Sequence, residues 1–292
     1  MCGKNLIIGL ALGLVLTSAI MHATWNFLAK RIGGGMSSIW LFSTLASVIY
    51  LPLVIVIMVV QQPIFAPDAL LAFVGSVLLH IAYYFLLQRG YSTGGLSLVY
   101  PLARGSGPAL SVIGAIVLLG ETPSGAQLVG ALLVSIGVLI LTGNPLTLFR
   151  RDNRAAIAYA LLCGLSIAAY TLWDKIAVSS IMLSPILLTW GGNVAQMILL
   201  APAAVKSWST VKASWREHRA AVLSISILDS LSYILFLIAL TFSAVSVLAP
   251  LRQTSILMGA LLGISFLGEE VSRRRFGGIG IMLAGVMALA LG

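Results

Sequence analysis

Apolar runs of about 20 residues, separated by short polar breaks, recur from one end of the chain to the other. As helices, such runs are each long enough to cross a hydrocarbon core of ~30 Å. Reading between the breaks predicts ten spans, at 5–28, 37–60, 69–90, 95–119, 125–143, 155–177, 184–205, 219–240, 245–268 and 274–291. They leave about eight residues per connection, too few for a soluble catalytic domain. The expected fold class is an all-α polytopic membrane protein with ten transmembrane helices.

Composition strengthens this reading and narrows the function. The chain has 292 residues, 60% hydrophobic and 9% charged, where soluble domains carry about 25% charged residues. That balance excludes a cytosolic enzyme, a disordered chain and a nucleic-acid binder. The net charge of +9 lies mainly in short loops. Of 17 Lys and Arg, thirteen follow spans 1, 3, 5, 7 and 9: Lys30, Arg31, Arg89, Arg150, Arg151, Arg154, Lys206, Lys212, Arg216, Arg219, Arg273, Arg274 and Arg275. By the positive-inside rule this bias puts those loops in the cytoplasm and both termini on the non-cytoplasmic side. The apolar run after Lys4 reads as a first span rather than a cleaved signal peptide. Cys2 and Cys163 have neither metal nor disulfide spacing and read as small apolar fillers.

The second half repeats the first. Residues 104–143 align without a gap on 252–291, with ten identities that include Arg104/Arg252, Gly120/Gly268, Glu121/Glu269, Ser124/Ser272, Gly130/Gly278 and Gly137/Gly285. Chance gives roughly three or four. A shift of one more residue pairs Tyr84 with Tyr233, Ser97 with Ser246 and Pro101 with Pro250. The repeats are expected at 1–148 and 149–292, five helices each. Because five is odd, the second enters the membrane in the opposite sense, giving the inverted repeat of alternating-access transporters.

HATWNFLAKR at 22–31, YPLARGSGP at 100–108, APLRQTS at 249–255 and the Gly-Glu pairs at 120–121 and 268–269 resemble the EamA-type repeat of the drug/metabolite transporter superfamily. The resemblance covers essentially the whole chain. It implies a ten-helix secondary transporter, commonly a bacterial exporter of amino acids or related metabolites. Two departures stand out. Many relatives resemble a pattern with basic residues after helices 2 and 4, and QQPIFAPD and GETPSGAQ have none. Gln253 stands where an acid is half expected.

Ionisable groups within spans are expensive and mark function. Arg104 lies about 14 Å into helix 4 at 1.5 Å per residue, and Arg252 matches it in helix 9. Arg104 reads as a bidentate grip on a carboxylate or phosphate, or alternatively as a packing lock. Tyr84, Tyr100 and Trp173 read as flanking the substrate or as interfacial belt, with His80, Arg252 and Gln253 completing the expected binding set. Asn26, Trp25, Asp174, Asp229 and Tyr233 are gating or coupling candidates. Asp174 is expected to pair with Arg252 and Asn26 to face Arg104. His80 and Asp229 are candidate proton acceptors or satisfied core groups. Pro101 and Pro250 are expected hinges, since proline removes a helix hydrogen bond. Glu121 and Glu269 read as caps of the following helix or as ligands of backbone amides. Helices 5 and 10, rich in glycine, read as a seam between halves or as a homodimer face.

No metal cluster, cofactor motif or catalytic set is present in the sequence. The expectation is therefore no enzyme and no cofactor, but a secondary transporter in the inner (cytoplasmic) membrane. Its partners would be a small-molecule substrate and the lipid bilayer, with no nucleic acid. Amino acids, including aromatic ones, are the preferred substrates; lipophilic-cation efflux and sugar-phosphate-type exchange are the alternatives.

Overall fold

A computed structural model describes residues 2–32, 35–63, 66–94, 96–142, 154–267 and 272–292. All regular structure among them is helical: α1 (Cys2–Ile32), α2 (Gly35–Gln61), α3 (Pro67–Gly94), α4 (Leu96–Leu119), α5 (Gly125–Thr142), α6 (Arg154–Ser179), α7 (Pro185–Lys206), α8 (Trp208–Phe242), α9 (Val245–Arg252), α10 (Thr254–Leu267) and α11 (Arg273–Leu291). Nine stretches of these described residues are long and apolar enough to cross a membrane, and the shorter Gly125–Leu141 makes the tenth. Glu269 and the side chain of Ser97 lie outside the described residues.

Local chemistry sets the ends. Ser124 and Gln127 form a reciprocal capping box at the start of α5. Gly120, at φ +67, turns the chain out of α4. Pro185 occupies the first turn of α7, where a missing N–H costs nothing.

Two expectations need correction. The ninth span is two helices, because the backbone tightens at Gln253. Its N–H bonds Pro250 O at 3.0 Å, Ile256 N–H bonds Gln253 O at 2.9 Å, and the Thr254 hydroxyl takes Leu251 O. These three-residue steps follow the hydrogen bond that Pro250 cannot donate. Pro101, by contrast, sits inside an unbroken α4, so the two prolines differ in effect. The eighth helix starts eleven residues before the expected 219 and bends at His218 (φ −131, ψ 32). Trp208 and Trp215 thus sit on a short helix at the basic end, where Trp208 meets Trp40 edge-on at 6.0 Å.

Helix packing reproduces the repeat. α5 packs on α11 and α2 on α7, so these helices meet their own counterparts. α4 against α6 is matched by α9 and α10 against α1, and α3 against α6 by α8 against α1. The seam between α5 and α11 is held at backbone distance. A Cβ on Gly130 would stand 2.7 Å from Gly285 O, and one on Gly137 would stand 3.1 Å from Gly278 O. Gly130 aligns with Gly278 and Gly137 with Gly285, so these are one contact occurring twice about a pseudo-twofold axis. The glycine face joins the halves of one chain.

The main core fills the end of the bundle away from the basic loops. Phe236, Leu237, Leu240, Leu248 and Leu251 are fully buried there.

Candidate functional site

A cavity of about 270 Å³ opens from the middle of the bundle toward the basic ends of α1, α3 and α4. Nine of the sequence-selected residues line it: Trp25, Asn26, His80, Tyr84, Tyr100, Arg104, Asp229, Tyr233 and Arg252. Trp173, Asp174 and Gln253 are not among the lining residues.

Arg104 projects from α4 over the Tyr100 ring at 5.6 Å. It stands where Gly105 and Gly107 let α4 approach α5 and α6, since a Cβ at either would collide with Leu139 or Ile167. Arg252 lies over Tyr233 at 4.8 Å and Phe236 at 4.4 Å. Among the described residues neither arginine, nor Asp229, has a salt-bridge partner. A low-dielectric cavity holding three unpaired charges is poised for a charged ligand.

The expected Asp174–Arg252 ion pair gives way to a different arrangement. Asp174, fully buried, accepts a hydrogen bond from the Tyr233 hydroxyl, and His80 Nε2 stands 3.9 Å from its Oδ2. Both groups meet Tyr233, the carboxyl at its hydroxyl and the Arg252 guanidinium over its ring, and they form no salt bridge. His80 is stacked on Tyr170 at 4.2 Å. Asn26 does not reach across to Arg104 with a bond; its amide donates to His22 O on its own helix at 2.7 Å.

The far end of the cavity is fastened shut. Trp173 Nε1 donates to Ala72 O at 2.7 Å, tying α6 to α3. Lys175 Nζ donates to Leu240 O and Ser243 O at the end of α8. Glu121 accepts from Val245 N at 2.8 Å and Ser246 N at 2.9 Å. Of its two expected roles, Glu121 therefore takes the second and binds amides of the other half; Ser124 and Gln127 cap α5 instead. Trp25, the counterpart of Trp173, lies beside the open cavity, and its Nε1 has no partner among the described residues. One sequence position is thus bonded at the shut end and unbonded at the open one. Trp173 is a fastening of the wall rather than a flank of the cavity, and Gln253 is buried at the α9–α10 break with Oε1 unpartnered.

Sequence reasoning missed several lining groups. His22 falls near the end of the first predicted span, 5–28, but α1 continues to Ile32 and carries it into the span, edge-on to Trp25 at 5.1 Å. Tyr170 and Tyr91 also line the cavity. Asn193 donates to Ser230 at 2.9 Å, and Gln196 accepts from Ser43 at 2.8 Å and reaches Tyr84. Two amides three residues apart in an apolar span carry the signal that should have found them.

A solved crystal structure superposes on 96% of this chain and 96% of its own with TM-score 0.77 at 17% identity, a likeness of fold. No match is found among the curated proteins. The model of the EamA-like transporter family matches residues 9–143 and again 154–291, one match for each half recognised from the repeat. Matched twice over nearly its full length, and built as two inverted five-helix repeats around a central cavity, the chain belongs to the EamA-like transporter family of the drug/metabolite transporter superfamily.

Proposed function

We propose that the chain is a secondary transporter of small zwitterionic metabolites, amino acids foremost, working by alternating access through the central cavity. The observation that carries this is the set of unpaired charges lining one cavity. Arg104 takes the substrate carboxylate as a bidentate pair, Asp229 on a different wall takes the ammonium, and Tyr84 and Tyr100 flank the side chain. Arg252, screened by two rings, adds positive potential. Such a cavity disfavours lipophilic cations. The asymmetry between the fastened and open ends is what a carrier caught on one side of its cycle requires.

The protein works in the cytoplasmic membrane with its basic loops, and hence the open cavity, facing the cytoplasm. An active cytoplasmic reporter fused at Gly292 would overturn that orientation. Counterflow in proteoliposomes tests the function, using labelled aromatic, aliphatic and hydroxylated amino acids, a sugar phosphate and a quaternary ammonium dye. Saturable exchange of an amino acid is expected, with at least a tenfold loss in Arg104→Gln, which forfeits a charge-assisted pair. Uptake of the dye alone, or full amino-acid exchange by Arg104→Gln, refutes the reading.

A further inference from the structure

Beside the central cavity, a separate groove of about 500 Å³ lies between α2, α3 and α7. It exists because α2 packs on α7 and α8 while α3 packs on α6 and α4, which leaves a cleft between α2 and α3. The groove faces outward: Met36 of α2, Phe85 of α3 and Leu199 of α7 line it, and all three are exposed apolar side chains. Its floor is one face of α3, formed by Ile81, Tyr84, Phe85, Gln88, Arg89 and Ser92 at helical spacing. Polarity is graded along that face. Arg89, Gln88 and Ser92 stand at the basic end, and Phe85 and Ile81 lie deeper. From Ser92 to Ile81 the helix rises ~16 Å at 1.5 Å per residue, about one leaflet of a ~30 Å hydrocarbon core.

We propose that this groove holds one anionic phospholipid from the leaflet on the basic side, with its phosphate on Arg89 and Gln88 and one acyl chain running down to Tyr84. Arg89 is the one charged residue lining the groove, and it has no acid partner among the described residues. Its guanidinium lies 5.3 Å from the Phe85 ring, at the groove's rim. A guanidinium so placed matches a phosphate with two parallel hydrogen bonds. The Gln88 amide has no hydrogen-bond partner among the described residues and supplies a further donor. Ser92 supplies none, because its hydroxyl already donates to Arg89 O at 2.9 Å. Lys206, six residues beyond Leu200 on α7, adds a second positive charge past the groove's mouth. With no acid in the lining, this end attracts a headgroup of net negative charge and repels the ammonium of a zwitterionic one. Any tail suits the apolar part; Arg89 and Gln88 select the headgroup.

The deep end of the groove is a wall shared with the central cavity, since Ile81, Tyr84 and Gln196 line both. Ser43 donates to Gln196 at 2.8 Å, and Gln196 reaches Tyr84. These bonds close the passage, so the groove seats a hydrocarbon tail and is not a side door for substrate. The consequence for transport rests on the carrier reading. A tail packed on the outer side of Tyr84 holds that ring toward the substrate, and an empty groove lets the ring and Gln196 give way outward.

The test titrates the full chain in detergent micelles with phosphatidylglycerol, or with phosphatidylcholine of the same chains, and reads bound lipid by native mass spectrometry. One phosphatidylglycerol is expected, held about tenfold or more tightly than phosphatidylcholine. Arg89→Gln should lose about tenfold, the worth of a charge-assisted hydrogen bond. Leu199→Trp keeps Arg89 but fills the groove, and should displace the lipid. Arg216→Gln removes an equal charge at the basic end outside the groove and should bind as the wild-type protein does. Photoreactive phosphatidylglycerol should cross-link to the segments of α2, α3 and α7 that face the groove. Equal retention of phosphatidylcholine overturns the proposal, as does binding unchanged in both Arg89→Gln and Leu199→Trp. Competition by glycerol 3-phosphate at the lipid's own concentration also overturns it, because the site would then take a free anion without tails. In proteoliposomes, Leu199→Trp should raise KM for the amino acid found to exchange by about threefold or more, with kcat little changed. An unchanged KM overturns the effect of the lipid on the cavity and leaves the lipid site standing; absence of exchange by the wild-type protein refutes the carrier reading alone.

Discussion

Replacing Gly130 by alanine tests the seam between the halves. The new Cβ would stand 2.7 Å from Gly285 O and 2.8 Å from Leu289 N, both backbone atoms that no rotamer change can move. Comfortable carbon contacts begin near ~3.5 Å, so α5 and α11 must part by roughly 0.7 Å, and a gap of that size forfeits a quarter to a half of the dispersion energy of each contact it opens. Overpacking of this kind costs about 1–3 kcal/mol, while alanine in place of glycine within a helix returns up to about 1 kcal/mol. The net loss is about 1–2 kcal/mol, or a fall in Tm of roughly 2–8 °C at about 2–4 °C per kcal/mol. Gly280, on the same helix α11, has nothing within 4 Å of its missing Cβ, so Gly280→Ala is the control and should be neutral or stabilising. Gly130→Ala with Gly285→Ala should cost less than the sum of the two by at least about 0.5 kcal/mol, because the first separation makes room for the second side chain. Thermal unfolding of detergent-solubilised protein, followed by size-exclusion chromatography, reads all four variants. A Gly130→Ala variant as stable as Gly280→Ala refutes the close-packed seam.

Glu121→Gln keeps the shape of the side chain but removes the charge that both Val245 N and Ser246 N address; a loss of about 1–3 kcal/mol is expected, visible as a lower Tm, and an unchanged Tm counts against a bridging role. Trp173→Phe removes the indole bond to Ala72 O and should raise the labelling rate of a cysteine at position 76 by an impermeant thiol reagent applied from the side opposite the basic loops. The labelling background would need Cys2 and Cys163 replaced by Ser, and an unchanged rate would mean that Trp173 does not hold that end shut.

The long apolar periods made the spans legible, because a bilayer leaves a chain few alternatives to helices of fixed length. The break at Gln253 was not legible, since Pro101 and Pro250 occupy equivalent positions and only one of them accompanies an interruption. The proline alone therefore does not decide where a helix breaks. The cavity charges were found because a charge inside a span announces itself. Their partners were not: charge alone points Asp174 to Arg252, whereas the fold gives it the Tyr233 hydroxyl and the neighbouring His80 instead. Trp173 and Trp25 are the same residue in the repeat and carry opposite bonding, which no reading of one sequence distinguishes.

The bend at His218 has an electrical consequence. It places the start of the membrane-crossing part of α8 at the basic surface, beside Trp215 and Arg219, whose guanidinium lies 5.9 Å from the indole. Counting from Arg219 at 1.5 Å per residue, Asp229 lies about 15 Å deep and Tyr233 about 21 Å. In a hydrocarbon core of ~30 Å, the water-accessible cavity thus reaches past the midplane, and only about 9 Å of packed side chains remain beyond it. Water joined to one bulk phase carries that phase's potential inward, so the membrane voltage falls mainly across this thin plug rather than evenly along the helices. Any charge that crosses it takes up most of the full ~2.3 kcal/mol per 100 mV while moving little more than the length of one side chain.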